Sequence, residues 1–283
     1  MSKKAIALFI IIAYAISFVY IWIFYNFYKY LPKKFVNLVL GLVMFGPTVA
    51  AFLSLRIVYK TSPKNALAHL GLRFDLRSIL LGILTCFVMA VVYLPIIAIF
   101  IKLGFIKPHF ENIKKLINTP IPWGLALLIG IVNGISITTI FALGEEIGWR
   151  GFLYKELSKY TNNLVILSII IGIIWAFWHF PLLYLFKWTY PYLGLALRCA
   201  MFSIFCVLLT MVLLWLRMVS DSVLPCAIVH AFVNTYYVIF FIILGGGILG
   251  ALGLPVFMDF LISFYVIKIL LNKIEFFRLN GAK

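Results

Sequence analysis

Acidic side chains are scarce in this sequence: eight Asp and Glu stand against 24 Lys and Arg in 283 residues. Charged residues of both signs make up only 11% of the chain, too few to hydrate the surface of a soluble domain. The basic residues come singly or in pairs between apolar runs. The formal charge of +16 therefore lacks the dense patch that phosphate tracking needs, and nucleic acid is not an expected partner. Anionic lipid headgroups are. Cysteine pairing motifs are missing too: Cys86, Cys199, Cys206 and Cys226 fall singly inside apolar runs, which argues against a disulfide framework and a Cys-x-x-Cys metal site. No linker rich in Pro, Gly or Ser divides the chain, and no repeat or low-complexity segment appears. A single integral membrane domain over residues 1–283 is expected.

What the sequence does hold is apolar. Hydrophobic residues make up 65% of it and the mean hydropathy is +1.14. Eight runs are long enough for the roughly 20 helical residues that cross a bilayer core, near 5–28, 36–58, 79–101, 123–146, 164–186, 191–216, 223–243 and 248–270. None alternates apolar with polar residues as a barrel strand would, so the fold class is all-α, a polytopic bundle of about eight transmembrane helices. The first run follows Lys3-Lys4 but continues to Tyr28 without a small-x-small cleavage site, and is expected to remain as a span.

Counted by alternate sides, 15 Lys and Arg lie on the side of both termini and 8 on the other, which predicts cytoplasmic termini. The absence of sorting signals and the compact chain point to a prokaryotic plasma membrane. The loop from Lys60 to Ser78, which carries Leu70-Gly71-Leu72-Arg73, is expected at the interface, Asp221 at a helix start, Pro181 at a kink or helix end, and Gly245-Gly246-Gly247 in a turn. His69 and His109 sit in polar loops and read as surface residues.

Against this background Glu145-Glu146-Ile147-Gly148-Trp149-Arg150 stands out, because it ends an apolar run with two carboxylates and a guanidinium. A buried ionised carboxylate costs several kcal/mol unless it is paired or used. Glu146 and Arg150, spaced i, i+4, share a helical face and are read as a structural ion pair; Glu145 points about 100° away. Two further polar sites interrupt apolar helices: His179, and His230 with Asn234 one turn later. If Thr161-Asn162-Asn163 is a tight turn, Glu145 and His179 stand opposite each other, each 17 residues from Asn162. A helix starting at Asp221 puts His230 about 13 Å deep. One cluster of Glu145, His179, His230 and Asn234 is expected, opening towards the cytoplasm. Trp149, Trp175, Trp178 and Trp188 read as packing residues and interface anchors.

Three motifs now stand in order on separate helices: Glu-Glu-x-x-x-Arg at 145–150, aromatic-x-x-x-His from Trp175 to His179, and His-x-x-x-Asn at 230–234. Together they resemble the CAAX-protease and bacteriocin-processing family (CPBP, or Abi) of intramembrane endopeptidases, over a protease core of residues 79–271. Trp175 replaces the family's usual Phe. The resemblance implies hydrolysis of a peptide bond in a membrane-associated protein or peptide, with Glu145, Glu146, His179, His230 and Asn234 as the catalytic set. Glu145 and His179 would activate water, and His230 N–H and the Asn234 amide would stabilise the oxyanion, with Glu146 held by Arg150. No cofactor is needed on that version.

A catalytic zinc held by Glu145, His179 and His230 is the alternative the family also allows, although His-Glu-x-x-His is missing. The competing function is a non-enzymatic membrane scaffold or bacteriocin self-immunity protein of the same fold. A transporter would call for matched halves with broken helices, which the sequence does not display.

Overall fold

The computed structural model describes residues 2–108, 123–187, 193–244 and 253–273. Its helices are α1 (Ser2–Phe27), α2 (Lys33–Gly41), α3 (Gly46–Tyr59), α4 (Pro63–His69), α5 (Leu76–Lys102), α6 (Trp123–Glu146), α7 (Tyr154–Leu157), α8 (Leu164–Leu185), α9 (Leu195–Ser220), α10 (Leu224–Leu244) and α11 (Leu254–Lys273). No β-strand occurs among the described residues. Among the described residues six segments are long and apolar enough to cross a membrane: α1, the α2–α3 pair, α5, α8, α9 and α11. Helices α6 and α10, of 24 and 21 residues, complete the eight expected runs. Helices satisfy every backbone N–H and C=O internally, as lipid requires. Large apolar side chains such as Ile11, Trp22, Phe87 and Tyr265 clothe the outside. The chain is an all-α integral membrane protein.

The bundle pairs α8 with α9, α6 with α10, α1 with α3, and α5 with both α10 and α11. The turn at 161–163 is present, and Asn163 caps α8 by accepting the Ile166 N–H at 3.1 Å. Its two arms nevertheless do not form a close hairpin. Each prefers a later helix, because most of the apolar surface that complements it lies there.

Several expectations change. The second span is broken: α2 and α3 are separated by a 3-10 turn over Leu42–Phe45, with Pro47 in the first turn of α3. The loop expected at the interface contains α4, and its Leu70 is fully buried in the core. Asp221 ends α9 in a left-handed conformation (φ 53°), and its carboxylate accepts from Arg217 and pairs with Arg73. The Ser222 hydroxyl, which accepts the Leu224 N–H at 3.1 Å, stands at the start of α10 instead. Helix α8 passes through Pro181 to Leu185, and His69 is half-buried. His109, Trp188 and the Gly245–Gly247 turn lie outside the described residues.

Candidate active site

The acid pair stands at the junction of α6 with seven residues of π-helix, Ile147–Leu153, all buried. Short π segments concentrate at functional sites, where they re-aim side chains within a continuous rod. Three glycines let other backbone approach here. A Cβ on Gly144 would lie 2.8 Å from the Met44 carbonyl oxygen, one on Gly148 2.8 Å from the Pro47 backbone, and one on Gly151 2.7 Å from the Leu70 carbonyl oxygen. Thr48 Oγ1 also donates to the Gly144 carbonyl at 2.5 Å. The broken second span and the 70–73 loop are thereby pressed against the rod around Glu145.

Glu145 is 2% exposed, and its Oε2 accepts the Trp175 indole N–H at 2.5 Å. The backbone carbonyl of Trp175 accepts from His179 Nδ1 at 2.9 Å, because a carbonyl can only accept. This makes Nε2 the basic nitrogen of the neutral His179 ring. The Arg150 guanidinium lies over the Trp175 ring, 4.2 Å from its centre. Trp175 thus touches three members of the site, a role the reading of it as packing missed. Its position four residues before His179 was the available signal.

Glu146 and Arg150 are both fully buried, and Arg150 Nη1 donates to Glu146 Oε1 at 2.9 Å. The same oxygen accepts from His230 Nδ1 at 2.8 Å, while Arg150 Nη2 donates to Thr210 Oγ1 at 2.8 Å. With Nδ1–H given to a carboxylate, His230 can donate from Nε2 only as an imidazolium.

Glu145, His179, His230 and Asn234 line one cavity of about 570 Å³; Glu146 and Arg150 stand behind it. The rest of the lining is chiefly apolar, including Phe24, Tyr28, Leu182, Phe186, Phe202 and Phe205. These residues place the lining along the bundle. The cavity extends towards the C-terminal ends of α1 and α8 and the start of α2, away from the end that holds Ser2. On the Ser2 side the loop at Gly71 closes the bundle: Val223 N–H donates to the Gly71 carbonyl at 2.9 Å, and Arg217 Nε to the Arg150 carbonyl at 3.2 Å. The cavity lining therefore lies towards the end of the bundle away from Ser2.

Residues 119–236 match the family model for type II CAAX prenyl endopeptidases, Rce1-like. That segment contains all three motifs and every side chain of the cluster. Over that segment the chain is similar to the type II CAAX prenyl endopeptidases. CAAX prenyl protease 2 of Methanococcus maripaludis is 37% identical over 62 residues, a match spanning 22% of this chain and 22% of that relative's length.

The donor set bears on the zinc alternative. Among the described residues no three His, Cys, Asp or Glu side chains converge to hold a metal ion. The Trp175 indole holds Glu145 and packs edge-on against both imidazoles, 5.5 Å from His179 and 5.1 Å from His230 between ring centres. As arranged, Glu145, His179 and His230 do not fit a three-ligand centre.

Proposed function

We propose that this protein is an intramembrane endopeptidase that hydrolyses a peptide bond of a membrane-associated protein or peptide. The observation that carries this reading is the meeting of Glu145, His179, His230 and Asn234, from α6, α8 and α10, on the wall of one apolar cavity. Glu145 takes a proton from a water that His179 Nε2 helps to hold, and the hydroxide adds to the scissile carbonyl. The Asn234 amide and His230, as an imidazolium oriented by Glu146, donate to the oxyanion. Glu145 then returns the proton to the leaving amine as the C–N bond breaks. Arg150 holds Glu146 and Trp175 holds Glu145, so each carboxylate has its own partner.

The apolar walls suit a substrate with a hydrocarbon substituent. A prenylated CAAX peptide, the class that the family description names, is the first to try. Exposed Lys3, Lys4, Arg56 and Lys60 would face anionic headgroups at the Ser2 end. With both termini cytoplasmic, as the Lys and Arg distribution favours, the cavity opens to the opposite face of the membrane or to the bilayer itself.

The test is cleavage of a prenylated peptide and a peptide library by purified protein in liposomes. Glu145→Gln and His179→Ala are each expected to lower kcat by about 10² to 10⁴-fold, the range general acid–base groups supply. Cleavage that survives both substitutions would overturn the mechanism. A substrate-independent cellular phenotype unchanged by either would favour the scaffold.

A further inference from the structure

A second buried carboxylate lies outside the cavity. Asp259, in α11, is fully buried within the membrane-spanning bundle, where an acid is costly. Among the described residues its partners are neutral hydroxyls: Tyr237 of α10 donates to Oδ2, and Ser263 Oγ donates to Oδ1 at 2.8 Å. No motif of the proposed reaction uses it. Tyr237 itself is fully buried, with its ring edge-on to Tyr93 of α5 at 4.9 Å and to Phe260 of α11 at 5.7 Å.

The position of Tyr237 on its helix connects it to the site. His230, Asn234 and Tyr237 are spaced i, i+4, i+7, which puts all three within about 60° on one face of α10. We infer that Asp259 is a positioning residue: through Tyr237 it sets the rotation of α10 that presents His230 and Asn234 to the cavity. The inference rests on the proposed endopeptidase reading for its consequence, though not for its geometry.

The required precision is high. Turning α10 by about 10° moves an atom about 7 Å from its axis by roughly 1 Å, and misplacement of that order costs on the order of 100-fold in rate. Packing against α6 and α5 limits such rotation but is non-directional; a hydrogen bond to a carboxylate fixed on α11 is directional.

The experiment compares Asp259→Ala, Asp259→Asn, Tyr237→Phe and the Asp259→Ala/Tyr237→Phe double variant in liposomes, with rates normalised to folded protein. Asp259→Ala and Tyr237→Phe are each expected to lower kcat about tenfold with KM changed less than about twofold. Asp259→Asn, whose amide oxygen still accepts from Tyr237, restores most of the loss, and the double variant is no worse than either single one. Additive losses, or unchanged kcat in folded protein, would overturn the lock.

A second arm does not depend on catalysis. Asn234→Cys is introduced with Cys199→Ser, and its modification by a small thiol reagent is timed in three backgrounds: Asp259 intact, Asp259→Asn and Asp259→Ala. A several-fold change in rate for Asp259→Ala alone supports the lock even if no substrate is cleaved; equal rates in all three overturn it.

Discussion

Trp175 joins groups that no single feature of the sequence connects. Its indole N–H holds Glu145, its carbonyl holds His179 and its ring carries Arg150. Trp175→Phe keeps an aromatic face for Arg150 and leaves the backbone bond to His179, but removes the donor to the carboxylate. Losing a hydrogen bond to a charged group costs about 1.5–3 kcal/mol, so kcat is expected to fall roughly 10- to 100-fold with folded yield retained. Steady-state cleavage beside circular dichroism checks this, and wild-type kcat would count against the orienting role. The sequence made the acid pair, both histidines and Asn234 visible because polar groups in apolar runs are conspicuous. It concealed Trp175, because an indole in a hydrophobic run is what packing alone would produce.

The junction between α6 and the π segment depends on glycine. The Cβ of Gly148→Ala would crowd the Pro47 side chain and stand 2.8 Å from its backbone, so α3 must move away from the acid pair. Overpacking of this kind costs about 1–3 kcal/mol, seen as a lower thermal midpoint together with loss of activity. Gly194→Ala meets nothing within 4 Å and serves as the neutral comparison. If both substitutions shift the midpoint equally, close backbone approach is not what Gly148 provides. The equal spacing of Glu145 and His179 from Asn162 suggested a hairpin, yet its arms are not a packed pair. Glu145 meets Trp175, one turn before His179, while α8 packs on α9 and α6 on α10. Spacing along a chain reports depth in a bilayer; it does not report which helix is the neighbour.

For the whole molecule, the direction of the cavity and the distribution of charge make a joint prediction. With cytoplasmic termini, a cysteine at the exposed Asn37 on the cavity lining is expected to react with a membrane-impermeant thiol reagent from outside intact cells. A cysteine at exposed Lys60 is expected to react only after permeabilisation. The reversed pattern would place the cavity on the cytoplasmic side and the termini outside.

Composition and run length determined that this chain crosses a membrane as a bundle of helices, because apolar stretches about 20 residues long have no other stable form in lipid. The order of the motifs pointed to the family, and helical periodicity paired Glu146 with Arg150. Tertiary structure alone decided that Trp175 orients Glu145, that Glu146 also holds His230, that Asp259 holds Tyr237, and that the cavity extends away from Ser2. In an apolar solvent most helix faces are compatible with lipid and with one another, so hydropathy does not select neighbours. Backbone approach at glycines, directional hydrogen bonds and the shapes of large side chains select them, and these act between residues far apart in the chain.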